Sequence, residues 1–508
     1  MQNVNDQNTL NHNLRKHPNL MKLSKIALAG FTLLASNSLT RAQTTIYFSA
    51  SNGDRNATQV AISRLLTNWT YRGLTAGAAG AGGSGQASND NFRTSNFGTW
   101  RGTWNGQTVI IKTNYAGALA GIAAVANQTI QVRFDKTDGT LPNPGNPSDT
   151  TNKIPENPLT STNTNNYLES SVDFGLSTNF QATSPFQGTY NGVEYNAIKQ
   201  IPVGISQLGF YGSPGTPVDN ITSQQARLLY DTGAIPVALI TGNWATDNTK
   251  YIYAIGRNTD AGQRFGAQLE IGRSGIGFQY VYQANPAPAA GGAANAPLIE
   301  SPAGSGNWIA NPSHDPNKSY AIGTAVIGGI VSDHRQWNNG VDELFSGITS
   351  SGGHNSGANV AINLTYKLGA TAYKKVDPAA TAGWYVGYVT PGDASATVLG
   401  IGQGSARPAN SKGVSLKFNG VENTPENVKS GKYTLWIYNR ILTPLSGVAG
   451  KVGDPSPSFR ANFVTALTNR IKIDVASQQG IALDDPDLKV HRTQDGGPVI
   501  PGPLPAEE

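Results

Sequence analysis

The chain has no cysteine. That excludes disulfides, a thiolate metal site and a cysteine-linked lipid anchor. Charge is also scarce: Asp, Glu, Lys and Arg make up 14% of the 508 residues, against about 25% in an average soluble domain. Polarity falls to Asn, Thr, Ser and Gln, beside 59 glycines and 29 prolines, which suits an exported protein with long loops. No apolar run approaches the roughly 20 residues of a membrane-spanning helix. No basic stripe offers a nucleic-acid surface. There is no G-x-S-x-G elbow and no H-E-x-x-H, so an enzyme is not expected. His314, His334 and His354 stand twenty apart in insertion-like loops without ligand spacing. They read as solvated loop histidines, so neither a metal nor another cofactor is expected.

At 508 residues, two domains or more are expected. Residues 1–42 read as a processed leader: Lys22 and Lys25 precede the apolar run 26–35, and a cleavage site follows Ala42. Met21 is an alternative start. Five of the 37 basic residues and one of the 32 acids lie in this leader, leaving a formal charge of +1. No stable membrane span is expected once it is removed.

The mature part opens with a strand at 45–49, a loop at 50–56 and a helix through Ala61, Leu65 and Trp69. Residues 73–90 read as a flexible glycine-rich loop. Its Gly80-Ala-Gly-Gly-Ser-Gly85 matches the dinucleotide fingerprint formally, but no strand precedes it and no helix follows. A second strand–loop–helix unit spans 108–126. Residues 137–164 and 286–317 read as Pro/Gly/Asn-rich insertions. A short strand at 171–178 ends in a polar loop, and 201–211 reads as an apolar strand leading from one lobe to another. Thr222 and Gln225 form a capping box for a helix that Gly233 ends. Further strands are expected at 384–389, 414–419 and 433–438, and a helix through Phe459, Phe463, Leu467, Ile471 and Val475. From Asp484 the Pro-rich chain reads as disordered or loosely draped.

The stretch that organises the chain is Tyr251-Ile-Tyr-Ala-Ile-Gly-Arg-Asn-Thr-Asp-Ala-Gly-Gln-Arg-Phe-Gly266. A β-branched and aromatic run gives way to a polar loop and then to a helix start. The first amides of a helix have no internal partner and carry the positive end of its dipole. Arg257 adds a forked, permanent charge, so this is an anion site on first principles. The alternative is that Arg257 is a surface ion-pair partner.

Taken in order, several stretches resemble the phosphate-binding component of phosphate ABC transporters: 168–178, 201–215, 220–233, 251–266, 384–389 and 416–436. The last is the most specific, through Asn419-Gly420, Thr424-Pro425 and Gly431-Lys432-Tyr433. The resemblance implies an α/β, two-lobed type II periplasmic-binding-protein fold with discontinuous lobes and Gly/Pro/Asn-rich loop insertions. Lobe I would hold 45–206 plus 433–479, lobe II 207–432, and 480–508 would be a tail. It implies a periplasmic or secreted protein that binds a phosphate-like anion or small polar solute and works with an ABC permease.

The departures from the family lie in the site. Arg257 and Gly262 match its ligand loop, but its serine is Ala261 and its threonine is Gln263. Its Ser-Asp is Ser177-Thr178, so the proton-accepting aspartate is missing, and its Gly-Ser is Gly117-Ala118. Each lost hydroxyl removes a hydrogen bond to charge worth about 1.5–3 kcal/mol. The residues expected at the ligand are Arg257, Gly262, Gln263, Ser177, Thr178, Asn114 and Ser51. They come from loops at 49–53, 114–118, 177–179 and 257–263, each following a strand. The alternative function is a binding-protein fold reused as an extracytoplasmic structural or adhesion protein with a decayed ligand site.

Overall fold

The computed structural model describes residues 43–75, 95–136, 154, 158, 161–258, 260–277, 279, 281–282, 284–285, 298–300, 308–310, 321–322, 353–354, 357–365, 377–401, 412–478 and 480–505. The leader, His314, His334 and most of the expected insertions lie outside the described residues. The first sheet draws on β1 (Thr44–Ala50), β2 (Thr67–Thr75), β3 (Ser95–Trp104), β4 (Gln107–Asn114), β5 (Phe174–Ser177) and β6 (Ile198–Gln207). The second uses β7 (Gly209–Gly212), β8 (Asn220–Ile221), β9 (Ala234–Pro236), β10 (Lys250–Ile255), β11 (Ala382–Val389) and β12 (Val414–Phe418). The chain then returns to the first sheet with β13 (Trp436–Pro444).

The strand order is β6-β13-β5-β1-β4-β3-β2 in the first sheet and β8-β12-β7-β11-β10-β9 in the second. β1 runs parallel to both β4 and β5, and β10 parallel to β11. Parallel neighbours need crossover connections, and helices supply them here. The principal helices are α1 (Arg55–Leu65), α2 (Ala118–Ala126), α3 (Ser223–Thr232), α4 (Gly262–Glu270), α5 (Pro391–Thr397) and α6 (Phe459–Asp474). The result is a two-lobed α/β fold with discontinuous lobes.

Both crossings between sheets lie side by side. β6 leaves the first sheet at Gln207, which pairs with Trp436 where β13 re-enters it. Between the sheets, Leu208 N donates to Leu435 O at 3.1 Å, and the Tyr433 hydroxyl donates to Leu208 O at 2.7 Å. The second lobe therefore joins the first through a paired double strand, an arrangement suited to a hinge.

Apolar burial fixes the helices. Phe459, Phe463, Leu467 and Ile471 of α6 bury against Val60, Ala61 and Ile62 of α1 and against Ile46 of β1. α2 is built of small and aliphatic residues and is buried along its whole length. α3 has both bonds of its capping box, with Gly233 left-handed at its C-cap. Among the described residues no helix is long and apolar enough to cross a membrane.

Three expectations are corrected. Trp69 is not in the first helix: the chain turns extended at Leu66, and Trp69 lies in β2, edge-on to Trp100 at 4.9 Å. The residues 67–71 are β-branched or aromatic but for Asn68, which favours a strand over a longer helix. His354 is not solvated but buried, bridged to Arg257. The segment after Asp484 is not draped loosely. It forms the ribbon Val490–His491 with Ile500–Pro501, and it buries Arg492 and Asp495. Arg492 Nη1 pairs with Glu270 of α4 at 2.9 Å and Nη2 donates to Thr434 O at 2.8 Å, which ties the segment down.

Candidate functional site

Three strand-to-helix turns meet at one pocket. Ser51, Asn52 and Gly53 follow β1; Ala116, Gly117 and Ala118 follow β4; Arg257, Asn258, Ala261, Gly262 and Gln263 follow β10. The first two turns belong to the first sheet and the third to the second, so the pocket lies between the lobes. The space open to the centre of a water molecule is about 10 Å³, close to the room of a single water.

Arg257 is 2% exposed. Its Nη1 donates to Gln263 Oε1 at 2.7 Å and its Nε to His354 O at 3.0 Å. Its main-chain amide faces the Tyr388 hydroxyl at 3.4 Å. Gln263 Nε2 in turn lies 3.4 Å from Asp393 Oδ2, and Thr390 Oγ1 donates to that same carboxylate oxygen at 2.9 Å. Burial lowers the guanidinium to about 10, opposed by the Asp393 carboxylate. Arg257 therefore remains a cation at neutral pH. Arg55, at the start of α1, opposes that charge and is itself lowered by burial, with Asp393 working the other way. Both guanidinium groups thus share the field of the Asp393 carboxylate, and Asp260 adds to it at Arg257.

The loop after β10 is also the contact between lobes. Asp260 O accepts from Ala118 N at 3.0 Å, and Asp260 Oδ1 accepts from Ala120 N at 3.0 Å. A Cβ on Gly262 would lie 1.8 Å from Thr178 Oγ1, so only glycine allows this approach. Asn258 is 4% exposed, and its Oδ1 has no hydrogen-bond partner among the described residues.

Of the residues expected from sequence, the structure brings Arg257, Gly262, Gln263 and Ser51 to the pocket. Ser51 caps the turn before α1, its Oγ accepting from Gly53 N at 3.0 Å. Thr178 stands behind Gly262, donating to Asn179 Oδ1 at 3.3 Å. Ser177 Oγ accepts from Asn179 N at 3.1 Å, and Asn114 Nδ2 is turned to Arg133 O at 3.0 Å. These last three side chains are not among the pocket's lining.

Sequence reasoning passed over Asp260, Asn258, Asp393 and Arg55. Asp260 and Asn258 stand in the loop it singled out. Asp393 carried a visible sign, because Thr390-Pro391-Gly-Asp393 is a helix start with Thr390 capping Asp393 N at 3.2 Å.

No protein-family model matches the chain, and no curated protein matches it. Among solved structures, it is similar to an ABC-type phosphate transport receptor from Vibrio cholerae, with 11% identity and a TM-score of 0.37, covering 86% of this chain and 99% of that one. PstS from Borrelia burgdorferi is similar at 11% identity and a TM-score of 0.33, over 86% and 98%. A possible phosphate binding protein from Planctomyces limnophilus follows at 9% and 0.34, over 87% and 93%. At these values the proteins are likenesses to the chain, and the two-lobed fold rests on its own strand order.

Proposed function

We propose that the chain is an extracytoplasmic solute-binding protein, holding a small oxyanion or polar solute between its lobes and handing it to an ABC permease. The supporting observation is that both lobes line one pocket beside a buried guanidinium, that of Arg257. The start of α4 at Gly262 and Gln263 supplies directed amides there, and the hinge-like double strand allows the lobes to part for entry. Residues 45–206 with 433–479, and 207–432, are the proposed lobes, and 1–42 the proposed export leader.

A panel of phosphate, sulfate, small polyols and small amides tests this in thermal melts. Ligand at a hundred times its dissociation constant adds about 2.7 kcal/mol of stability. At least one member should raise the melting temperature of the wild type and none that of Arg257→Ala, with the circular dichroism of the two proteins alike. An equal shift in both proteins would remove Arg257 from the site.

A second reading has its own support. The pocket has room for about one water, and Arg257, Gln263 and Asp260 bond within the chain. A structural or adhesive role for a binding-protein fold fits that. No shift with any panel member would favour it.

A further inference from the structure

The amides that open α2 are the natural place for an anion in this pocket, because a helix's first N–H groups have no partner inside the helix. They are not vacant. Asp260, reaching across from the other lobe, places its main-chain oxygen on Ala118 N and its carboxylate Oδ1 on Ala120 N, each at 3.0 Å. Asp260 is 3% exposed. The surface is shaped around it: a Cβ built on Gly117 would lie 1.6 Å from Asp260 Oδ2, so any side chain there would expel the carboxylate. A second feature points to a ligand rather than to simple lobe packing. Asn258, 4% exposed and lining the same pocket, holds an amide oxygen with no partner among the described residues.

The charges near Arg257 can be named. Asp260 and Asp393 act on its guanidinium from one side of the balance and Arg55 from the other. Two carboxylates already oppose two cations. A dianion entering here would lack the α2 amides and would add negative charge beside cations that Asp260 and Asp393 already oppose, where like charges repel. A neutral solute with hydroxyl or amide groups meets no such barrier. It could satisfy Asn258 Oδ1 with a donor.

We propose that Asp260 is a built-in anion, which occupies the amide cradle of α2, excludes dianionic oxyanions and sets the pocket's preference for neutral polar solutes. This rests on the reading of the pocket as a ligand site. It is a specificity role: Asp260 shapes what the pocket accepts by filling the place a free anion would take.

The test is isothermal titration of the full chain with inorganic phosphate and with sulfate, at fixed ionic strength. Wild type, Asp260→Ala, Asp260→Asn and Asp260→Ala/Arg257→Ala are compared, each first shown to be folded by circular dichroism. Removing the carboxylate should raise phosphate affinity at least tenfold in Asp260→Ala. Asp260→Asn, which keeps the shape and loses the charge, should gain as well. The double variant should lose the gain. Wild type binding phosphate more tightly than Asp260→Ala would overturn the proposal, since Asp260 would then be a ligand contact. So would a folded Asp260→Ala, or a folded Asp260→Asn should the alanine variant fail to fold, with no gain. Failure of the solute-binding reading looks different: no panel member would shift wild type, while the Asp260→Ala gain would persist.

Discussion

Asp54 sits in the turn between the pocket-lining Ser51–Gly53 loop and α1, and it is 2% exposed. Its Oδ1 accepts from Asn439 Nδ2 at 2.5 Å. Burial pushes the carboxyl up from its ordinary 3.8 to about 7, against the pull of Asn439 and Arg440. The folded chain therefore holds this proton more tightly than the unfolded chain. Stability falls as pH rises from about 4 to about 7, and the loss is complete above that window. Asp54→Asn, which keeps an acceptor for Asn439, should thus be more stable than wild type at pH 8, by at most about 4 kcal/mol. The advantage should shrink by pH 5. Melting temperatures of both proteins across that range check this, and a difference independent of pH would contradict it. At this scale Arg257 was legible in the sequence, because a forked cation in a strand–loop–helix turn has a direct chemical meaning. Asp260, three residues on, was not. Its partner amide at Ala120 is 140 positions away, and an aspartate just before a helix ordinarily reads as a local cap.

Elements were legible where their signals are local. The capping box of Thr222 and Gln225 and the left-handed Gly233 bound α3 as the sequence implies, because all three act within one turn of their helix. The four-residue apolar spacing of α6 likewise needs only its own residues. The same spacing misleads at Trp69, where an aromatic strand follows a helix almost without a break. The C-terminal segment shows the limit most clearly. Its Pro and Gly content implies looseness, yet long-range contacts hold it: Arg492 stacks over Trp436 at 4.3 Å, and Asp495 Oδ2 accepts from Phe180 N and Thr183 Oγ1, each at 2.8 Å. Replacing Arg492 by Met should cost about 3–5 kcal/mol, because it leaves the Glu270 carboxylate mostly buried and without its cation. Urea unfolding measures this, and a loss under about 1 kcal/mol would show the segment to be incidental to the fold.

At the scale of the whole molecule, the sequence carried the two-lobed plan because both crossings are apolar runs in the expected order. The composition could not show that the crossings pair with each other, at Gln207 and Trp436, or that the loop after β10 docks on the start of α2. Those facts are tertiary, and they decide what the pocket can hold. The central claim is that three segments drawn from both lobes, 51–53, 116–118, and 257–258 with 261–263, form one solute site around Arg257. Hydrogen exchange on the full chain tests this most directly, comparing the protein alone with the protein saturated by the panel member that most raises its melting temperature. Slowed exchange should appear in all three segments together and vanish in Arg257→Ala. Protection confined to the segments of one lobe, or no protection with any panel member, would contradict it.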